Sequence, residues 1–257
     1  MKYVELQVTT NYTFLVGGSH PGEIITEAAK LGYSAIAITD RNTLAGMVRA
    51  YAAAKQTGIK LIIGCRLDLT DGVSLLVYPK NLEGYGDLCA LLTTGNRRTE
   101  KGKCLLRKED VYGLKACKFI VVPPSTLEER ALPEHYRKCV LEYAERFSAG
   151  SMYLAMSRYY LGDDTQLLYR INELADEIGC PIVAVNDVHY HSAERRQLQD
   201  VLTCIREKCT IQNAGFRLLP NAERHLKAEK EMERLFRQYP KALQSTIDIA
   251  AACQFSL

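Results

Sequence analysis

The chain lacks several features that would narrow its role at once. Nine cysteines are spread along 257 residues, yet no two form a C-x-x-C pair. Zinc knots and thioredoxin-like redox motifs need such spacing, so the pattern favours free buried thiols in a reducing compartment over disulfides. Cys89, set within Leu88-Cys89-Ala90-Leu91-Leu92, illustrates the type. No apolar run reaches membrane-spanning length, and because the chain runs straight into Tyr3-Val4-Glu5-Leu6, no leader or transit segment is expected. The expected setting is therefore soluble and cytoplasmic, with no membrane partner. Strong charge is missing as well. A net charge of +3 is too mild to demand direct binding of nucleic acid. Repeats and low-complexity tracts are also absent.

What is there reads as an ordinary globular chain with a sizeable core, at 47% hydrophobic and 25% charged residues. Short apolar runs at residues 3–8, 35–39, 60–63, 73–78, 119–122, 153–156 and 181–185 are candidate strands. Helical spacing fills the gaps at 21–31, 43–57, 82–92, 134–147 and 165–178. Ser19 is the expected cap of the first of these, and Gly58 and Gly179 close the second and the last. Alternation of this kind predicts parallel strands with crossover helices, and seven strands predict a distorted (β/α) barrel over residues 1–191. After His191 the pattern is strand-free. Helices at 192–208, 228–238 and 241–253 form an expected helical extension, residues 192–257, packed on the barrel. The one dense basic cluster, Arg97, Arg98, Lys101, Lys103, Arg107 and Lys108, reads as a solvated loop.

Chemistry on such a fold gathers at the C-terminal ends of strands. Asp187, His189 and His191 alternate after the last apolar run, and alternate residues of a strand share a face. Asp40 follows the second run, where it is also a candidate cap for the next helix. The remaining groups at strand ends are Glu5, Gln7, Thr9, Arg41 and Arg66. Arg158-Tyr159-Tyr160 is read as loop and interface packing, Gly17-Gly18 as a tight turn, His20 before Pro21 as a residue leading into a helix, and His135 and His225 as exposed residues of polar helical surroundings.

Several blocks together resemble a known family. They are Ser34-Ala35-Ile36-Ala37-Ile38-Thr39-Asp40, Asn42-Thr43-Leu44-Ala45-Gly46, residues 58–64, Ala184-Val185-Asn186-Asp187-Val188-His189-Tyr190 and Leu218-Leu219-Pro220-Asn221-Ala222-Glu223-Arg224. In this order they resemble the polymerase and histidinol phosphatase (PHP) domain, in particular that of bacterial C-family DNA polymerases, the DNA polymerase III alpha group. Residues 5–12, Arg66-Leu67-Asp68-Leu69 and residues 200–206 are similar to its error-prone, damage-tolerant ImuC-type branch.

The resemblance implies a seven-stranded barrel of PHP type whose active members bind divalent metals at the strand ends and hydrolyse phosphoesters, some as 3′-5′ proofreading exonucleases. It implies as metal ligands an H-x-H, an Asp-His, a Glu and a D-x-H. This chain keeps Asp40, Asp187 and His189, but has Gln7 and Thr9 for the H-x-H, Arg41 for the histidine and Arg66 for the glutamate. Gln and Thr are weak ligands for zinc or manganese. A guanidinium stays protonated and repels a cation. The expectation is a degenerate, structural domain without a cofactor, in which Arg41 or Arg66 pairs with Asp40, Asp187 or Glu5. The alternative is one residual Zn or Mn ion on Asp40, Asp187 and His189, aided by His191 or Glu5. No paired carboxylates of a polymerase palm, which would hold two Mg ions, are recognised. The chain is therefore expected to be a piece of a longer polymerase, which would bring the core, DNA, a sliding clamp and accessory mutagenesis proteins as partners.

Overall fold

A computed structural model describes residues 2–125, 127–128 and 131–257. In chain order the elements are α1 (Pro21–Lys30), β1 (Ala35–Ile38), α2 (Met47–Thr57), β2 (Lys60–Ile63), β3 (Cys65–Leu67), β4 (Leu75–Pro79), α3 (Leu82–Arg97), α4 (Lys108–Val111) and β5 (Cys117–Val121). Then come α5 (Glu134–Arg146), β6 (Met152–Met156), α6 (Asp164–Ile178), β7 (Ile182–Ala184), α7 (Arg196–Arg206), α8 (Ile211–Ala214), α9 (Glu229–Leu235) and α10 (Pro240–Ala252). The fold is mixed α/β.

The strands lie in two sheets, β1-β2 and β3-β4-β5-β6-β7, and neither closes on itself. This departs from the seven-stranded barrel expected from the spacing. One reason lies in residues 3–9, which run extended but form only single bridges, Glu5 with Ile36 and Val8 with Val188. Side chains take the amide protons that a ladder would use. Thr246 Oγ1 accepts from Val4 N, Glu5 Oε1 from Gln7 N, and Thr39 Oγ1 from Val8 N. The segment nevertheless touches both sides, since Ala37 N donates to Glu5 O at 2.9 Å and Val188 N to Gln7 O at 2.8 Å.

A second departure is direction. β4 is antiparallel to both β3 and β5, whereas β1-β2, β5-β6 and β6-β7 are parallel. Only seven residues separate β3 from β4, too few for the crossover that parallel pairing needs. β2 and β3 are consecutive along the chain, interrupted at Gly64. A Cβ there would lie 2.9 Å from Thr39 Cγ2 and from the Tyr78 ring, so glycine permits the close approach.

Every strand but β3 contributes to one buried cluster that includes Val4, Leu6, Ala37, Ile62, Leu76, Tyr78, Ile120, Ala155 and Val183. Ile249, Ala250 and Cys253 of the last helix and its cap complete it. α10 thus packs against the strands, with Lys60 Nζ donating to the Ala250 carbonyl at 2.6 Å. A second, larger cluster holds the helices against the outer strand faces, among them Ile24, Met47, Leu88, Tyr143 and Leu168. Asp40 does not cap α2, which begins at Met47, and Ser19 does not cap α1, whose flanking residue is His20. The basic cluster is partly tied down locally, Arg98 to Asp110, Lys103 to Glu100 and Lys108 to Glu142.

Candidate functional site

Of the polar residues flagged at strand ends, Glu5, Gln7, Thr9, Asp40, Asp187 and His189 are buried and Arg41, Arg66 and His191 partly so, and they form separate knots. Asp40 is fully buried at the end of β1. Its carboxylate accepts from Thr10 N at 2.8 Å, Thr10 Oγ1 at 2.7 Å and Thr13 Oγ1 at 2.8 Å. Burial raises its pKa, and the hydroxyl and amide donors only partly offset that. The loop that supplies these donors folds back tightly. A Cβ on Gly17 would sit 2.2 Å from the Thr10 carbonyl, so this turn requires glycine.

Asp187 has the left-handed backbone of φ 48°, uncommon outside glycine. It lies three residues beyond the end of β7. The expectation that Asp187, His189 and His191 share one face fails at His191, which turns to Ser19. His189 keeps Nε2 at 3.5 Å from Asp187 Oδ1, but His191 Nδ1 lies 2.8 Å from Ser19 Oγ. Gln7 Nε2 donates to Asp187 Oδ1 at 2.8 Å, and the Arg224 guanidinium pairs with Oδ2. Arg224 also stacks over the Tyr159 ring, 4.4 Å from its centroid. It arrives there because residues 188–190 run beside residues 224–225, with His189 N donating to Arg224 O at 2.8 Å.

Arg41 and Arg66 form a bridge with each other and turn to one carboxylate, though none of the three named as their partner. Arg41 Nη1 reaches Asp68 Oδ2 and Arg66 Nε reaches Asp68 Oδ1, both at 3.0 Å. Ser74 Oγ donates to the same oxygen at 2.5 Å. Burial works to raise the Asp68 pKa, but the charges of Arg66 and Arg41 with the Ser74 hydroxyl overcome it and hold the group below its ordinary value. Glu5 belongs to a different knot again. It accepts from Tyr3 Oη at 2.7 Å, Gln7 N at 2.8 Å and Asn186 N at 3.3 Å, and burial lifts its pKa to about 7.

His189 is the unsatisfied member. It is buried, and neither ring nitrogen has a hydrogen-bond partner among the described residues. Burial, followed by the charges of Arg41, Arg66 and Arg206, lowers its pKa to about 3, so the ring is neutral at neutral pH. Thr9 is buried beside Val188, its amide donating to the Val188 carbonyl at 2.8 Å.

These donors do not fit a divalent cation. Both Asp187 oxygens are engaged by Gln7 and Arg224, both Asp40 oxygens by Thr10 and Thr13, and the charges of Arg41, Arg66 and Arg206 act on the His189 imidazole. Among the described residues, no group of three or more His, Cys, Asp or Glu is arranged as a metal site. Sequence reasoning missed Arg224 and Asp68. Asp68 stands two residues from Arg66 on an extended stretch, a same-face spacing that could have revealed it. Arg224 is 37 residues from its partner and gave no such signal.

A mixed α/β domain with buried polar knots at its strand ends defines the class, and the comparisons narrow it. A model of the PHP domain matches residues 5–159, and the chain belongs to that family. It is 46% identical to an error-prone DNA polymerase of Caulobacter vibrioides and 44% identical to error-prone DNA polymerase 1 of Agrobacterium fabrum. The matches cover 99% and 100% of this chain but 23% of each relative, so the chain spans about a quarter of the length of these proteins. The fold is similar to an amidohydrolase from Chromobacterium violaceum, with a TM-score of 0.55 and 16% identity over 73% of this chain and 88% of that one.

Proposed function

We propose that this is the PHP domain of an error-prone DNA polymerase of the DNA polymerase III alpha type, and that its own role is structural. The observation that carries the structural role is the clamping of Asp187 between the Gln7 amide and the Arg224 guanidinium, at a strand end where the family places metal ligands. A guanidinium supplies the positive charge that a cation would otherwise bring to a buried carboxylate. Asp40, Asp187 and His189 are then remnants of a ligand set, with Arg41 and Arg66 at former ligand positions. The polymerase identity rests on similarity along essentially the whole chain to two error-prone polymerases.

On this reading the rest of the polymerase lies in further sequence, holds Mg at its own carboxylates, and extends primers opposite damaged template. DNA, the sliding clamp and accessory mutagenesis proteins meet that longer protein, and all of it works in the cytoplasm. No helix among the described residues is long and apolar enough to cross a membrane. Residues 1–191 form a distorted seven-stranded barrel in this proposal, with the 3–9 segment as the member joining β1 to the stretch after β7. The single bridges on both its sides support that ring. Residues 192–257 complete it as the helical extension.

One observation favours a second reading. The unpartnered His189 ring beside Asp187 is what a metal-dependent phosphoesterase would retain. Elemental analysis of purified protein, paired with hydrolysis assays on a chromogenic phosphate ester and a DNA 3′ end, separates the two. Substoichiometric zinc, manganese and iron with no hydrolysis is the expected result. Stoichiometric metal with turnover would establish the phosphoesterase.

A further inference from the structure

Helix α7 is packed the wrong way round for a surface helix. Its buried residues are Gln199, Thr203 and Cys204, while Leu198, Val201 and Ile205 are exposed. Those three recur at helical spacing, so they make one apolar stripe facing outward. Just beyond, Ile211 of α8 is 54% exposed and Phe216 fully so. Among the described residues, five of the thirteen exposed large hydrophobic residues thus fall between residues 198 and 216, where scatter over the surface would be ordinary.

The orientation is pinned by contacts along the whole helix. Arg195 pairs with Glu23, Arg196 Nη2 donates to the Leu219 carbonyl at 2.6 Å, and Arg206 Nη1 donates to the Leu15 carbonyl at 3.0 Å. On the inner side the helix packs beside Gly18, where a Cβ would lie in ordinary contact with Gln199 Cβ, at 3.5 Å. Rolling the stripe inward would break all three arginine contacts and expose Gln199 and Thr203. The Leu15 contact also ties the end of α7 to the loop carrying Phe14, itself 81% exposed.

We propose that the α7 stripe with Ile211 and Phe216 is the docking surface for a further domain of the same polypeptide. This rests on the reading of the chain as part of a longer polymerase. The length of the relatives argues for that occupant, because more than three-quarters of each lies outside the part that this chain matches. A second copy of the domain is the competing occupant, and the test distinguishes it.

The experiment uses the full polypeptide of the complete reading frame, with a photo-crosslinking phenylalanine analogue at Phe216 and, as control, at Val48 of α2, which is 71% exposed. Hydroxyl-radical footprinting of the unsubstituted protein runs alongside. The expected result is an intramolecular crosslink from position 216 to a peptide beyond residue 257, with a yield independent of protein concentration and no such product from position 48. Footprinting should show Ile205 and Phe216 several-fold less reactive than Leu82, which is 70% exposed. A crosslinked dimer growing with concentration, or equal reactivity at Phe216 and Leu82, would overturn the proposal while leaving the polymerase reading intact. A reading frame that stops at Leu257 would remove both together.

Discussion

Two kinds of carboxylate are held in this fold, Asp68 partly buried and Glu5 and Asp40 fully so. Asp68 faces guanidiniums and is held below its ordinary pKa, whereas Glu5 and Asp40 face hydroxyls and amides and are pushed above theirs. The counts of contacts are similar. Asp68 takes two arginines and Ser74, and Glu5 takes Tyr3, Gln7 N and Asn186 N. Neutral donors satisfy lone pairs without supplying a net charge, so they do not offset the cost of burying an anion. Arginine therefore compensates the carboxylate that it reaches, Asp68 for Arg41 and Arg66, while Asp40 keeps only neutral donors.

The largest expected effect tests that compensation at Asp187. Arg224→Met keeps much of the side-chain volume over Tyr159 but strips the carboxylate of its charge partner. A buried pair broken on one side costs about 3–5 kcal/mol, read as a lower midpoint in urea unfolding. Asp187→Asn added to it should recover most of the loss, because no uncompensated charge is then left. Equal damage from the single and double variants would show that Arg224 acts by packing on the ring alone.

The opposite case is Glu5. Its pKa rises from 4.5 to about 7, so between those values the folded chain keeps a proton that the unfolded chain has released. The stability it contributes is complete below pH 4.5 and is lost as pH climbs through 7, by about 3 kcal/mol. Glu5→Gln removes the titration while leaving an oxygen for Gln7 N and Asn186 N. The difference in unfolding free energy between the two proteins, followed from pH 4.5 to 8, should move in favour of the variant as pH rises. Parallel curves would mean that Glu5 stays ionised in the fold.

How much of this was legible beforehand follows from the range of each interaction. Apolar runs placed β1, β2 and β4 to β7 within a few residues, since period and composition are local properties. β3 was lost because Gly64 alone separates it from β2, and the antiparallel turn at β4 depends on which strands meet in space. Residues 3–9 looked like a strand in composition, but Thr39 and Thr246, contributed from elsewhere in the chain, take two of its amide protons. The pocket residues were found by type and position. Their pairing was not: Arg41 and Arg66 reach Asp68, and Asp187 reaches Arg224, choices set by tertiary geometry. Most exposed of all to misreading was His191, which pairs with Ser19, a residue 172 positions earlier in the chain.

The smallest effect concerns Asp68, where the guanidinium side of the comparison meets solvent. Its side chain is a third exposed, and so is that of Arg41, while Arg66 is largely covered. Screening weakens the Arg41 contact more than the Arg66 one, so Asp68→Asn should cost about 1–2 kcal/mol and no more. Two guanidiniums would then face each other across the Arg41–Arg66 bridge with no anion between them, and added salt should restore part of the loss. Thermal melts of both proteins at low and high ionic strength read this directly, with a gap that narrows as salt increases. A gap indifferent to salt would locate the role of Asp68 in the hydrogen bonds that its backbone amide and carboxylate make with Asn42 and Ser74. The charge distinction drawn between the two kinds of carboxylate would then fail at its most exposed member.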